Sequence, residues 1–76
     1  MKSRDRRKWL EMRAETLGDI RFWQNQHHQS YALAVSSMAL KRYGQAATAQ
    51  RRQACAHTKM SGALRHLAEI NDALGL

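Results

Sequence analysis

Apolar residues recur at steps of three, four and seven from Trp9 to Met38, through Leu10, Leu17, Ile20, Trp23, Tyr31, Ala34 and Val35. Those steps place side chains on one side of an α-helix. Glu11, Glu15 and Asp19 fall at four-residue steps on the opposite side, where solvent is expected. A second stripe follows through Ala49, Ala56, Met60, Ala63, Leu64, Leu67, Ile70 and Leu74, close to a heptad repeat from Met60 onward. The pattern predicts an all-α fold: a long antiparallel helical hairpin in a single domain, residues 1–76. Helix one spans about residues 3–43, a turn lies at Gly44, and helix two spans about residues 45–74.

Local chemistry sets these boundaries. Ser3 can cap the first helix. Lys41-Arg42-Tyr43-Gly44 has cations for the last carbonyls and a residue free to turn left-handed, and Gly75 can end the second helix in the same way. Gly18-Asp19 offers a break that would give three helices, but the stripe continues through Leu17, Ile20 and Trp23 and favours one helix. With the turn at Gly44, paired residues have numbers summing to roughly 88. Trp23 then faces Ser61-Gly62-Ala63, with Gly62 small enough to admit the indole. The same register leaves about the first ten residues uncovered, with Lys2 to Lys8 overhanging.

A chain of 76 residues buries too little surface for a comfortable core. Phe22, Leu33 and Leu40 lie away from the main stripe and, with Trp9, are candidates for an interface. The expected assembly is a dimer forming a four-helix bundle. In shape alone, with no shared motif, such a dimer resembles the small hairpin-dimer RNA-binding regulators of plasmids.

Charge changes the picture most. Thirteen Lys/Arg against six Asp/Glu give a net +7, which favours a polyanionic partner. Arg4, Arg6, Arg7 and Lys8 start a helix, where its macrodipole disfavours cations, so a compensating use such as phosphate binding is expected. Arg51, Arg52, Lys59 and Arg65 are the candidates on helix two, with Lys41 and Arg42 near the turn. The expected partners are therefore nucleic acid or an acidic protein surface.

Other chemistry has little support. His27 and His28 diverge by about 100° on a helix and cannot chelate as a pair. No Cys/His set has structural-zinc spacing. Neither a phosphate loop nor a nucleophile elbow occurs, and Cys55 has no histidine at dyad spacing. No enzymatic activity, metal or cofactor is expected. Nor is there a helix-turn-helix signature for base readout. The lone Cys55, read as a small buried residue, and the lack of an apolar span or leader point to the cytoplasm with no membrane association. The function expected is regulatory binding of nucleic acid or a nucleoprotein complex, mainly through phosphates. The alternative is an adaptor or inhibitor of a host protein, of the kind encoded by phages and mobile elements.

Overall fold

The computed structural model describes residues 3–76; Lys2 of the expected overhang lies outside them. Two helices, α1 (Ser3–Ala39) and α2 (Tyr43–Leu74), pack against each other as an antiparallel hairpin 58 Å long and 15 Å by 14 Å across. α1 runs unbroken through Gly18-Asp19, so there are two helices among the described residues and not three.

The turn lies three residues earlier than the Gly44 chemistry predicts. α1 closes with Lys41 donating its N–H to the Met38 carbonyl at 3.0 Å and Arg42 to the Ser37 carbonyl at 2.7 Å. This is the paired end-of-helix pattern that a left-handed residue makes possible, and that residue is Lys41, at φ 58°. Gly44 sits in the first turn of α2, without a positive φ. At the other end Gly75 behaves as expected: at φ 75° it donates to Asp72 while Leu76 donates to Asn71.

Moving the turn shifts the whole register. Arg6 meets Leu74, Arg13 meets Asn71, and His27 meets Gln53 and His57, pairs whose numbers sum to 80–84. Trp23 therefore lies level with about residues 57–61, displaced toward the turn from the expected Ser61 to Ala63. Gly62 is exposed, and a Cβ there would meet nothing within 4 Å, which removes its expected role as a socket for the indole.

Between the helices runs a seam of alternating three- and four-residue steps. On α1 it passes through Thr16, Ile20, Trp23, His27, Ser30, Ala34 and Ser37, all buried or half-buried. On α2 it passes through Ala46, Ala49, Gln53, Ala56, Met60, Ala63, Leu67, Ile70 and Leu74. The turn-side half is built of alanine and serine, which lets the two backbones approach closely; the bulkier residues lie toward the chain ends. Tyr31, Val35 and Met38, expected in the main stripe, are exposed, because Ser30, Ala34 and Ser37 fill the tight contact instead. Leu10 is likewise exposed.

Polar seam residues are partnered. Thr16 Oγ1 donates to the Met12 carbonyl at 2.8 Å, and Arg13 Nε donates to Asn71 Oδ1 at 3.0 Å. Among the described residues, no buried side-chain nitrogen or oxygen lacks a partner. The apolar part of the core is thin. Four of its six buried residues are alanine, and Ile70 is the only large side chain fully buried among the described residues.

The turn geometry makes a direct prediction. Lys41→Gly should stabilise the hairpin by about 0.5–1 kcal/mol by relieving the left-handed strain. Gly44→Ala and Gly62→Ala should each be neutral or stabilising by up to about 1 kcal/mol through helix propensity. Denaturant melts of the three variants check this. Marked destabilisation by Gly44→Ala would return the left-handed residue to Gly44.

Candidate functional site

The candidate cations occupy two regions of the rod. Arg4, Arg6, Arg7 and Lys8 lie exposed in the first turns of α1, around and beyond the level of Leu74 at the end of α2. This overhang is shorter than expected, and one of its residues folds back: Arg6 Nη1 donates to the Leu74 carbonyl at 3.5 Å. The C-terminal carbonyls of α2 carry partial negative charge, so they offset the cost of placing cations at the start of α1. Trp9 is half-buried and lines a shallow groove with Asp5, Lys8 and Met12.

Arg51, Arg52, Lys59 and Arg65 are all exposed on α2. Arg52 and Lys59 share one row of α2, and Arg51 and Arg65 share another about 100° around the helix. Each seven-residue step advances about 10.5 Å along the helix. Arg52 shares a groove with Leu33, Gly44, Gln45, Thr48 and Ala49. The candidate apolar residues belong to this same side: Phe22, Leu33 and Leu40 are exposed. Phe22 stacks edge-on against Trp23, ring centres 5.0 Å apart at 81°.

Placing the six carboxylates on the hairpin shows a segregation that the linear sequence conceals. Asp5, Glu11, Glu15 and Asp19 lie in the first half of α1, and Glu69 and Asp72 lie near the end of α2. The hairpin brings both groups to the same end of the rod, where, among the described residues, Arg4, Arg6, Arg7, Lys8, Arg13 and Arg65 balance them. In this register Ile20 lies level with about residues 60–64, so the turn-side part is about residues 20–62, with six Lys/Arg and no carboxylate. Six of the seven net positive charges thus belong to the turn-side part. Lys41 and Arg42 sit at its tip, flanked by exposed Leu40 and Tyr43.

The histidines do not gather with acidic or thiol ligands. His27 and His57 ring centres are 6.0 Å apart, and His27 Nε2 lies 3.5 Å from Gln53 Nε2. His66 Nδ1 lies 3.7 Å from Glu69 Oε2 on the surface, where such a pair contributes little. No group of three or more His, Cys, Asp or Glu able to hold a metal occurs among the described residues. Cys55 is exposed, not buried as expected, because its row on α2 faces away from the seam. No helix among the described residues is long and apolar enough to cross a membrane.

No protein-family model matches this chain, and no curated protein or solved structure matches it significantly. The reading of the site therefore rests on its geometry and charge.

The exposure of Cys55 has a simple consequence. Its thiol should react with a maleimide in native buffer within a few-fold of its rate in denaturant. A rate suppressed by orders of magnitude would mean that Cys55 is covered in solution.

Proposed function

We propose that this protein is a small, non-enzymatic regulatory module that binds nucleic acid or a nucleoprotein complex mainly through phosphates. The observation that carries the reading is the charge segregation. A turn-side surface with six cations and no carboxylate attracts a polyanion without internal competition. Arg51, Arg52 and Lys59 supply contacts along α2, Lys41 and Arg42 extend them around the tip, and Arg65 adds one toward the chain ends. Exposed Phe22 and Tyr43 offer rings on which unpaired bases can stack. Arg4, Arg6, Arg7 and Lys8 add a second, weaker contact, since carboxylates share their end of the rod.

The binding unit in this proposal is a dimer forming a four-helix bundle, because the single hairpin has so little apolar core. We place it in the cytoplasm, where a single exposed thiol is kept reduced. A second reading, an adaptor or inhibitor docking on an acidic host protein, draws support from the exposed Phe22, Leu33 and Leu40 beside the α2 cations.

Salt titration of binding to generic duplex and single-stranded probes tests the proposal. Replacing Arg51, Arg52, Lys59 and Arg65 together by alanine should weaken binding to every sequence. The log–log salt slope should shrink by about 0.7–0.9 for each phosphate that is no longer neutralised. The Arg6, Arg7 and Lys8 triple replacement should lower the slope less. No binding by the wild type at low salt would leave the adaptor reading in front.

A further inference from the structure

We infer that the nucleic acid held by the turn-side part is a single strand, with its phosphates on the Arg52–Lys59 row of α2 and its bases turned over Phe22, Leu33 and Leu40 of α1. This rests on the function proposed above and names the form of polyanion that the same surface takes.

The two rows flank the seam on one side of the hairpin. Leu33 shares a groove with Arg52, together with Gly44, Thr48 and Ala49. Leu40 lies seven residues from Leu33, and Lys59 seven from Arg52, so each stays on the side that its neighbour defines. Phe22 lies eleven residues before Leu33 and returns to within about 20° of it around the helix. In the observed register Phe22 is level with Lys59, and Leu40 stands at the turn beside Lys41 and Arg42. Each of these apolar groups thus has a cation level with it or in the same groove, along about 25 Å of the rod. All three are exposed, and no carboxylate intervenes between residues 20 and 62.

Spacing and chemistry separate the possible polyanions. Leu40 and Leu33 are about 10.5 Å apart along α1, and Leu33 and Phe22 about 16.5 Å, with Gln26 and Gln29 between the latter pair. A docking helix needs apolar contacts every three or four residues, and the two glutamines interrupt that line. A duplex offers its phosphates to Arg52 and Lys59, but its bases are stacked inside and leave the apolar groups unused. A single strand combines anionic phosphates with flat apolar bases, as this side combines cations and apolar groups across the seam. Packed helices are about 8–10 Å apart, so a backbone lying along α2 can turn its bases onto α1. The amides of Gln26 and Gln29 can pair with base edges. Phe22, held edge-on against Trp23 with ring centres 5.0 Å apart, is a platform that loses little freedom on stacking. The groove on the opposite side, with Tyr31, Val35 and Met38, contains no Lys or Arg.

The test measures affinity and salt slope for a non-self-complementary oligonucleotide, alone and annealed to its complement, as DNA and as RNA. The single strand should bind about fivefold or more tighter than the duplex in at least one of the two chemistries. Phe22→Ala should weaken single-strand binding about fivefold or more, and Leu33→Ala should act in the same direction, both with the slope unchanged. Arg52→Ala and Lys59→Ala should each shrink the single-strand slope by about 0.7. Tyr31→Ala should change neither quantity. Circular dichroism of each variant checks that these exposed replacements leave the helices intact. A duplex bound as tightly as the single strand in both chemistries would overturn the inference and leave phosphate binding standing. So would single-strand binding that ignores Phe22→Ala but weakens with Tyr31→Ala. Binding to none of the four probes, with binding to an acidic amphipathic peptide, would overturn both the inference and the function on which it rests.

Discussion

Close approach of the two backbones on the turn side governs the surface of this protein. Ser30, Ala34 and Ser37 on α1 meet the row of Ala46, Ala49 and Ala56 on α2, and five of these six residues keep 6% exposure or less. Small residues gain little transfer free energy on burial, so this contact holds the helices through proximity more than through apolar area. Its consequence falls on the neighbours. Tyr31, Val35 and Met38 cannot enter so narrow a seam and emerge on one side, while Leu33 and Leu40 emerge on the other. An apolar content of 43% thus ends largely at the surface, on two faces of unlike character.

Polar groups within the seam serve alignment. Arg13 reaching Asn71, and His27 beside Gln53, mark positions at which sliding one helix along the other would strand a polar group. Alanine–serine contacts by themselves discriminate poorly between registers. The larger residues near the chain ends, with Ile70 fully buried, supply most of the hydrophobic contribution. The rod is thus tight and weakly cohesive near its turn, and more firmly packed near its ends.

The same folding event sorts charge. Carboxylates separated by fifty residues in the chain converge at one end of the rod, leaving the turn-side part purely cationic. A polyanion approaching that part meets a field of one sign, concentrated over a surface only 15 Å wide. Apolar groups beside the α2 cations, Leu33 among them, add area to such a contact.

Helical periodicity, the absence of proline, Gly75 and the solvent-facing row of Glu11, Glu15 and Asp19 were enough to give two long antiparallel helices. Composition alone gave the excess of cations. The position of the turn was not legible, because Gly44 is the better left-handed residue and yet Lys41 adopts that conformation. Only the tertiary contact decides this: placing the turn at Leu40 to Arg42 aligns the small residues of both helices, and that packing outweighs a local cost of about 1 kcal/mol. From that shift follow the exposed Gly62, the changed partner of Trp23 and the outward Tyr31, Val35 and Met38. A periodicity reading ranks candidate core positions by hydrophobicity, so it passed over Ser30 and Ser37, whose burial depends on what stands opposite. Charge segregation was present in the sequence as the acid-free run from residue 20 to residue 68. It acquired physical meaning only when the hairpin brought Asp5 to Asp19 and Glu69 to Asp72 to the same end.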